Sequence, residues 1–316
     1  MSDVSVVGID LGGTNLRAGL VDASGRILER EARPTRAERG PAAVIDEIAA
    51  LAASVARGGR AAEGIGVGSP GPLDAETGVV FDAPNLAGWR NVPLKRELEA
   101  RTGLPVRVEN DANAAAFGEA WLGAGRGARI LVCVTLGTGI GGGIVADGAI
   151  VRGTSGVAGE IGHVTIDPGG PLCGCGNRGC VEAFASATAV VRAARERIRA
   201  GERSALPDDP GLDAAAIAAA ARSGDPLAVS VLGGAGTHLG LAASIIAHLL
   251  NPDRIVFSGG LAGAGPCLFG PLIAELERRT FPRARAALTI ALAGLGDDAG
   301  LVGAARAFLA WRGLRT

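Results

Sequence analysis

The stretch Asp10-Leu11-Gly12-Gly13-Thr14-Asn15 follows a short apolar run and decides how the first part of this chain folds. Val4–Ile9 is rich in β-branched residues and predicts a buried strand that ends at the quoted aspartate. The glycines make a turn, and Leu16–Val21 returns as a second strand. Asp22-Ala23-Ser24-Gly25 turns again before a third strand, Arg26–Arg30. The chain therefore opens with an antiparallel meander whose first turn is rich in glycine.

A similar order of elements recurs in the middle of the chain. Ile130–Thr135 predicts a strand, Leu136–Gly143 a glycine-rich turn region, and Ile144–Ala146 a continuing strand. Asp147-Gly148 then turns into Ala149–Arg152. Predicted helices and further strands alternate after each meander. Two similar halves of this kind indicate an α/β protein with a cleft between its halves.

Composition limits the classes of protein that fit. The 316 residues, 48% of them hydrophobic, are long for one core and sufficient for two α/β domains. Aromatic residues are 3% of the chain, and the formal net charge is −1 without a basic cluster, which argues against a nucleic-acid partner. The N-terminus lacks signal-peptide features, and no stretch of about 18 uninterrupted apolar residues predicts a membrane span. Five cysteines, an odd number, favour a reducing compartment, so we expect a cytoplasmic protein with a small-molecule partner.

Three of the five cysteines and one of the three histidines fall between positions 163 and 180. Three thiolates and one imidazole in a loop rich in glycine favour a closed, tetrahedral, structural zinc site. Free thiols or a redox pair are the alternatives. Because Glu160 and Glu182 flank the cluster, the metal would hold a substrate pocket in shape. The predicted zinc ligands are His163, Cys173, Cys175 and Cys180.

Three glycine clusters follow predicted strands and are candidates for binding the phosphates of a nucleotide. Glycine lets backbone N–H groups approach phosphate oxygens closely. Each cluster by itself is more often a turn than a site, but three together favour a nucleotide site, with Asp10 holding Mg²⁺ through water. The predicted nucleotide-binding residues are Asp10, Gly12, Gly13, Thr14, Asn15, Gly137, Thr138, Gly139, Gly259 and Gly260.

The best catalytic candidate lies at the end of another predicted strand, Val106–Glu109. This strand delivers Asn110 and Asp111 to its carboxyl end, where α/β proteins bind ligands. Asp111 would act as the general base for a sugar hydroxyl that attacks the γ-phosphate of ATP, and Asn110 would orient a neighbouring hydroxyl. The alternative for Asp111 is a structural one, as the N-cap of the predicted helix Ala112–Leu122.

Further polar residues are candidates for binding the sugar. Glu160 and Glu182 would accept hydrogen bonds from hydroxyls, since carboxylates bind vicinal diols well, although either could instead serve the zinc loop. One ring nitrogen of His163 would ligate zinc while the other donates to a sugar oxygen. Asn85 lies in a loop of turn-forming residues, Pro84–Trp89, and is a site residue or an ordinary loop residue with about equal weight.

These motifs together resemble the ROK family (repressors, open reading frames and sugar kinases), and within it the bacterial glucokinases. The resemblance covers nearly the whole chain, and its Glu-x-Gly-His and cysteine motifs are the most specific. The motifs that carry it are Asp10–Thr14 with Arg17, Pro84-Asn85 with Gly88-Trp89, Glu109–Asp111, Leu136–Gly141, Glu160–His163, Cys173–Cys175 with Cys180 and Glu182, and Ser258–Gly260.

The resemblance implies a two-lobed, actin-like (ribonuclease H-like) ATPase fold with a structural zinc loop at 160–182, and ATP and Mg²⁺ between the lobes. It implies a small α/β lobe of 1–112 with 300–316, a large α/β lobe of 113–299, and assembly as a homodimer or homotetramer. It also implies Asp111 as the catalytic base. The implied sugar contacts are Asn110, Glu160, His163 and Glu182, and the implied zinc ligands are His163, Cys173, Cys175 and Cys180.

The expected activity is phosphorylation of glucose at its 6-hydroxyl by ATP, as in glycolysis. Mannose, N-acetylglucosamine, N-acetylmannosamine, fructose and allose remain alternative substrates, because they differ from glucose by single groups. A sugar-responsive repressor is a second hypothesis; such proteins carry a helix-turn-helix domain before the first strand, and a strand that begins by Val4 leaves no room for one. A catalytically silent sugar-binding protein is the third.

Overall fold

A computed structural model describes residues 4–56, 61–83 and 85–314. Its contacts divide the chain into two compact units. The first comprises Met1–Gly127, Gly143–Gly159 and Gly294–Thr316, and the second comprises Ala128–Gly142 and Glu160–Ala293. The predicted lobes divided the chain at other places. The helix that follows Asn110 and the segment Gly143–Gly159 both pack with the N-terminal residues.

Strands and helices alternate along most of the described residues. The strands are β1 (Ser5–Leu11), β2 (Asn15–Asp22), β3 (Ile27–Pro34), β4 (Ile65–Ser69), β5 (Leu73–Asp74), β6 (Val79–Asp82), β7 (Arg90–Val92), β8 (Val106–Asn110), β9 (Ile130–Leu136), β10 (Ile140–Ala146), β11 (Ala149–Ile150), β12 (Arg254–Ser258) and β13 (Thr289–Leu292). The α-helices are α1 (Gly40–Val55), α2 (Leu94–Thr102), α3 (Asp111–Trp121), α4 (Val181–Ala185), α5 (Ala187–Arg199), α6 (Ala214–Arg222), α7 (Pro226–Leu250), α8 (Pro266–Arg279), α9 (Pro282–Ala287) and α10 (Ala299–Trp311).

The first sheet has the strand order β3-β2-β1-β4-β8. Strands β1, β2 and β3 form the predicted antiparallel meander, whereas β1, β4 and β8 run parallel to one another. Parallel strands end at the same edge of a sheet. Asp10, Ser69 and Asn110 therefore lie at neighbouring strand ends.

The second sheet repeats this arrangement, with the strand order β11-β10-β9-β12-β13. Strand β9 is parallel to β12, and β12 is parallel to β13, as β1, β4 and β8 are in the first sheet. The internal repeat predicted from the two glycine-rich meanders is therefore present in the fold. A separate three-stranded sheet of β5, β6 and β7 was not predicted.

The C-terminal helix α10 packs directly on the first sheet. A Cβ atom added at Gly8 would lie 2.0 Å from the carbonyl oxygen of Leu301, and one added at Gly66 would lie 1.9 Å from that of Ala304. Because no side chain fits at either position, glycine is what allows the helix backbone to contact strands β1 and β4. The last helix is thereby part of the first unit.

One helix, α7, is long and apolar enough to cross a membrane by length and composition alone. The sequence predicts Pro226–Leu250 as a long, mostly buried helix, and Ser230 and Thr237 interrupt its apolar run. In the second unit α7 packs against α8, and 56% of its most apolar window is buried inside the protein. A core helix of an α/β unit accounts for this composition as well as a membrane span does.

Candidate active site

The first glycine turn, between β1 and β2, is fixed from one side by Thr35. The Oγ1 atom of Thr35 donates to the carbonyl oxygen of Gly12 at 2.6 Å, and its N–H donates to that of Thr14 at 2.8 Å. The N–H of Gly12 donates to the carbonyl oxygen of Asn15 at 3.0 Å. These carbonyl groups are thus bonded within the protein rather than directed towards a ligand. Such a turn suits an anion through the N–H groups of Gly13 and Thr14, since N–H groups attract phosphate oxygens and the Gly12 N–H is bonded to Asn15.

Asp10 lies at the end of β1, opposite Arg17 of β2. The Arg17 guanidinium is 3.5 Å from the Asp10 carboxylate and 3.2 Å from that of Asp297. Burial raises the pKa of Asp10, and the neighbouring Arg17 offsets this only in part. A cation near such a carboxylate stabilises its charged form. The Asp10 carboxylate therefore fits as an oxygen ligand for a hydrated Mg²⁺ ion, which needs few protein ligands.

Asn85 lies beside the first glycine turn. A Cβ atom added at Gly13 would be 3.1 Å from the Cβ atom of Asn85. Two buried side chains, Leu86 and Trp89, anchor the loop, while Asn85 itself is exposed. Pro84, the other member of the predicted motif, lies outside the described residues.

Asn110 and Asp111 lie where β8 passes into α3. Asn110, not Asp111, is the N-cap of α3: its side-chain oxygen accepts hydrogen bonds from the N–H groups of Ala112 and Asn113 at 3.0 and 3.1 Å. The alternative interpretation of Asp111 as the cap is therefore wrong. Asp111 is the first residue of the helix, and its Oδ1 atom accepts from the Ala112 N–H at 2.8 Å.

Glu109, the preceding residue, holds this junction in place and was not predicted as a site residue. Its side chain is buried and accepts two hydrogen bonds from Arg152, at 2.8 and 2.5 Å. Its other oxygen accepts from the Asn110 N–H and from the Asn113 side chain, both at 3.1 Å. Four hydrogen bonds thus satisfy a buried carboxylate that would otherwise be costly to keep in the core.

The second glycine turn, Gly137-Thr138-Gly139, joins β9 to β10 in the second unit. The N–H of Ala187 donates to the carbonyl oxygen of Gly137 at 3.0 Å, and the Thr188 hydroxyl donates to that of Thr138 at 2.8 Å. On the other side, Glu182 accepts from the Ile140 N–H at 2.9 Å. The turn is therefore bonded on both sides by a single short segment of chain.

The two predicted glycines after β12 differ in their surroundings. A Cβ atom added at Gly259 would lie 2.4 Å from the carbonyl oxygen of Leu136, and its φ of +87° favours glycine. Packing alone explains Gly259. An added Cβ atom at Gly260 would meet nothing within 4 Å, so this residue leaves room for a ligand.

The predicted zinc ligands form a cluster whose dimensions fit the metal. The ligand atoms of His163, Cys173, Cys175 and Cys180 all lie within 4.8 Å of one another. The Cys173 sulfur is 3.6 Å from Nδ1 of His163, and the sulfurs of Cys175 and Cys180 are 3.7 Å apart. Tetrahedral zinc with ordinary Zn–S and Zn–N bonds separates its ligand atoms by about 3.6–3.8 Å. All four residues belong to the second unit.

The thiols of the cluster have unlike environments. Burial raises the pKa of Cys173 to about 12 and also raises the pKa of Cys180. A hydrogen bond from the Asn177 backbone lowers the pKa of the exposed Cys175. Metal ligation needs thiolates, and a bound cation favours them at all three positions. The donor set therefore suits a metal better than it suits three isolated thiols.

A short 3₁₀ turn, Ile161–His163, begins directly after Glu160 and ends at His163. Because Nδ1 of His163 faces the cysteine cluster, Nε2 is the nitrogen that remains for another partner. Glu160 is exposed, in keeping with a residue that meets a ligand. Glu182 is half-buried, with one oxygen 3.6 Å from the Cys173 sulfur and the other on Ile140. It therefore contacts both the cysteine cluster and the glycine turn.

Each unit brings several predicted site residues together. In the first unit the turn 12–15 adjoins Asp10 and Asn85, with Asn110 and Asp111 at a neighbouring strand end. In the second unit Glu182 connects the cysteine cluster to the turn 137–139. Glu109 belongs to one of the motifs of the sequence but was given no role of its own, although a carboxylate within a predicted buried strand was a usable signal. Nothing in the sequence singled out Arg152 or Thr188.

Comparison with known proteins agrees with this architecture. The duplicated sheets are those of the actin-like sugar kinase fold. The ROK family model matches residues 6–310, and the chain belongs to that family. A glucokinase of Thermotoga maritima is 42% identical over 309 residues, which are 96% of this chain and 97% of that one.

Two solved structures show the range of proteins that share the fold. A ROK glucokinase from Streptomyces griseus, in complex with glucose and AMPPNP, is 39% identical with a TM-score of 0.82, over 96% of this chain and 98% of that one. A ROK transcriptional regulator, a homologue of the Escherichia coli MLC protein, is 31% identical with a TM-score of 0.86, over 96% of this chain and 78% of that one.

Removing Arg152 tests whether Glu109 depends on it. We expect Arg152→Ala to lower the free energy of unfolding by about 3 kcal/mol, because it leaves a buried carboxylate without its cation. Arg30→Ala is the matched control, since Arg30 pairs with Asp298 at 3.5 Å with 71% of its side chain exposed and should cost less than about 1 kcal/mol. Denaturant unfolding measures both. The double variant Glu109→Gln/Arg152→Ala should recover part of the loss, and equal costs for the two arginine variants would contradict the assignment.

Proposed function

We propose that this protein is an ATP-dependent glucokinase, which transfers the γ-phosphoryl group of ATP to the 6-hydroxyl of glucose. The observation that carries the proposal is the placement of Asp111 at a parallel strand end, in a chain 42% identical to a glucokinase over nearly the full length of both. The chemistry is inferred from the site, and the sugar is inferred from the relatives.

Asp111 would accept the proton of the 6-hydroxyl as that oxygen attacks phosphorus. The N–H of Ala112 holds one carboxylate oxygen at 2.8 Å, which fixes the orientation of the base. Because a helix N-terminus stabilises carboxylate, Asp111 would act mainly by orientation and by late proton acceptance. Asn110 donates one hydrogen of its amide nitrogen to the carbonyl oxygen of Gly71 at 3.4 Å, and its second hydrogen would orient a neighbouring hydroxyl.

The sugar hydroxyls would be bound by carboxylates and by an imidazole. Glu160 is exposed and would accept hydroxyl hydrogen bonds, while Nε2 of His163 would donate to a sugar oxygen. Glu182 would accept a further hydroxyl in addition to the Ile140 N–H. Asn85, beside Gly13, completes the proposed set of sugar-binding residues.

The two glycine turns and the glycines after β12 would bind the nucleotide. Bound Mg²⁺ supplies charge neutralisation of the phosphoryl oxygens, and Asp10 would hold it through water. The amide groups of the turns would stabilise the charge that the transferred group spreads over its oxygens. The residues proposed to bind ATP are Gly12, Gly13, Thr14, Asn15, Gly137, Thr138, Gly139, Gly259 and Gly260.

The cysteine cluster would hold a structural zinc ion that takes no part in the chemical step. With four protein ligands the metal has no open position for substrate. Its effect would be to fix His163, one of its ligands, and Glu182, which lies two residues after the ligand Cys180 at the start of α4. The zinc site would thereby determine the orientation of two proposed sugar-binding side chains.

Other hexoses and N-acetylhexosamines are alternative substrates for the same chemistry. A regulator without catalysis is the second candidate, because a ROK transcriptional regulator matches the fold with a TM-score of 0.86. We propose in addition a cytoplasmic location and assembly as a homodimer or homotetramer, on the resemblance to the family alone.

The function is tested by ATP-dependent release of ADP in a coupled assay, with Zn²⁺ and Mg²⁺ present. We expect kcat/KM for glucose to exceed that for mannose, N-acetylglucosamine, N-acetylmannosamine, fructose and allose by at least about tenfold, because a missing or misplaced hydroxyl leaves a site hydrogen bond unmade. Preference for another sugar would keep the chemistry and refute the glucokinase assignment. No turnover on any sugar would favour the regulator.

Substituting the proposed base separates chemistry from binding. Asp111→Asn should lower kcat by about 10²–10⁴-fold, since the amide cannot accept the proton, while glucose affinity stays within about tenfold. Asp147→Asn is the control, because Asp147 is an exposed turn residue with a φ of +48° that asparagine also adopts. Steady-state kinetics and glucose titration measure the two effects, and retained turnover would remove the base assignment.

Removing one thiolate tests the zinc site. Cys175→Ser should reduce bound zinc from one ion per chain to none and raise the KM for glucose about tenfold or more, because His163 loses its fixed orientation. Cys267→Ser is the matched control, since Cys267 lies outside the cluster in the same unit. Metal analysis measures the zinc content of each variant, and steady-state kinetics measure its KM for glucose. An unchanged enzyme without zinc would show that the cluster does not support the sugar site.

A further inference from the structure

The second glycine turn is held by Ala187 and Thr188, which follow Cys180 of the cysteine cluster after the short helix α4. The Thr188 hydroxyl donates to the carbonyl oxygen of Thr138 at 2.8 Å, and the N–H of Ala187 donates to that of Gly137 at 3.0 Å. Both carbonyl groups are therefore drawn towards the start of helix α5. All of these residues belong to the second unit.

Glu182 fixes the opposite end of the same turn. Its Oε2 atom accepts from the Ile140 N–H at 2.9 Å, immediately after Gly139. Glu182 and Thr188 thus bond to the two sides of a turn made mostly of glycine. Glycine has the largest conformational freedom of any residue, so such a turn keeps one shape only if its surroundings impose it.

The Thr188 hydroxyl is not required by its own helix. Ser186 is the N-cap of α5, and its side-chain oxygen accepts from the Ala189 N–H at 3.1 Å. Thr188 and Thr138 are both exposed, so the hydrogen bond between them is not part of the hydrophobic core. What the hydroxyl does is orient the peptide group between Thr138 and Gly139, and with it the Gly139 N–H. The Gly137 N–H is instead bonded within the turn, to the Gly139 carbonyl oxygen at 3.0 Å.

We propose that Thr188 is a positioning residue for the phosphoryl donor: by holding the Thr138 carbonyl group back, it keeps the Gly139 N–H, which belongs to the same planar peptide group, directed at phosphate. The inference rests on the proposed function, which places ATP phosphates at this turn. It adds a residue outside all the glycine-rich motifs, and it assigns Thr188 to ATP and not to sugar.

The test compares Thr188→Val, which removes the hydroxyl and keeps the shape, with Thr188→Ser, which keeps the hydroxyl. Thr237→Val is the matched control, because the Thr237 hydroxyl donates to the Gly233 carbonyl oxygen at 3.0 Å on an exposed part of α7. Calorimetry with AMPPNP and Mg²⁺ in the absence of sugar measures donor affinity. Steady-state kinetics then give separate KM values for ATP and glucose, and metal analysis gives the zinc content.

We expect Thr188→Val to weaken AMPPNP binding and to raise the KM for ATP about fivefold, the effect of one net hydrogen bond, with the KM for glucose and the zinc content unchanged. Thr188→Ser should restore donor affinity, and Thr237→Val should leave it unaltered. Unchanged donor affinity in Thr188→Val would overturn the inference. So would a rise in both KM values together with a lower Tm, which would indicate a general structural role.

The same data separate this inference from the proposed function. Wild-type protein that binds AMPPNP with the predicted dependence on Thr188, yet phosphorylates no sugar, would support the inference and refute the kinase assignment. Wild-type protein that phosphorylates glucose while Thr188→Val keeps its affinity for ATP would do the reverse. A wild-type protein that binds no AMPPNP would overturn both.

Discussion

The carboxylate of Glu109, buried at the end of a parallel strand, is the constraint on which the proposed catalytic region of the first unit depends. A charge in this position must be compensated, and Arg152 does so with two hydrogen bonds. The other oxygen bonds to the Asn110 N–H and to the Asn113 side chain. Because these contacts fix the junction of β8 and α3, they also fix the position of Asp111, the first residue of α3. The position of the proposed base, Asp111, is therefore set by the ion pair of Glu109 and Arg152. Neither of these two residues is proposed to bind substrate.

A carboxylate plays a comparable part in the second unit. Glu182 lies between the cysteine cluster and the second glycine turn, with one oxygen near the Cys173 sulfur and the other on the Ile140 N–H. The chain then continues through Ala187 and Thr188, which bond to the carbonyl groups of the turn. Residues that the sequence presents as three motifs are thus parts of one bonded arrangement. A disturbance of the cysteine cluster should be transmitted to the turn, because Glu182 follows Cys180 at the start of α4 and bonds to the Ile140 N–H.

The two five-stranded sheets share a strand order, and each has a glycine-rich turn after its central strand. This duplicated scaffold does not decide the activity, since a transcriptional regulator matches it with a TM-score of 0.86 and a glucokinase with 0.82. Activity has to be argued from side chains at the strand ends. Asp111 on a capped helix and Asp10 beside the first turn are the residues that favour phosphoryl transfer.

The sequence by itself determined the repeated meanders, the glycine turns, the cluster of one histidine and three cysteines, and the Asn110–Asp111 pair, because each is a local pattern of residue types with a distinctive spacing. It did not show which of Asn110 and Asp111 caps α3, since both side chains are suited to that role. It also gave no sign of Arg152 or Thr188. Their partners, Glu109 and Thr138, are 43 and 50 residues away along the chain. Only the tertiary structure decided these contacts, because a hydrogen bond depends on distance in space, which residue spacing does not specify outside regular secondary structure.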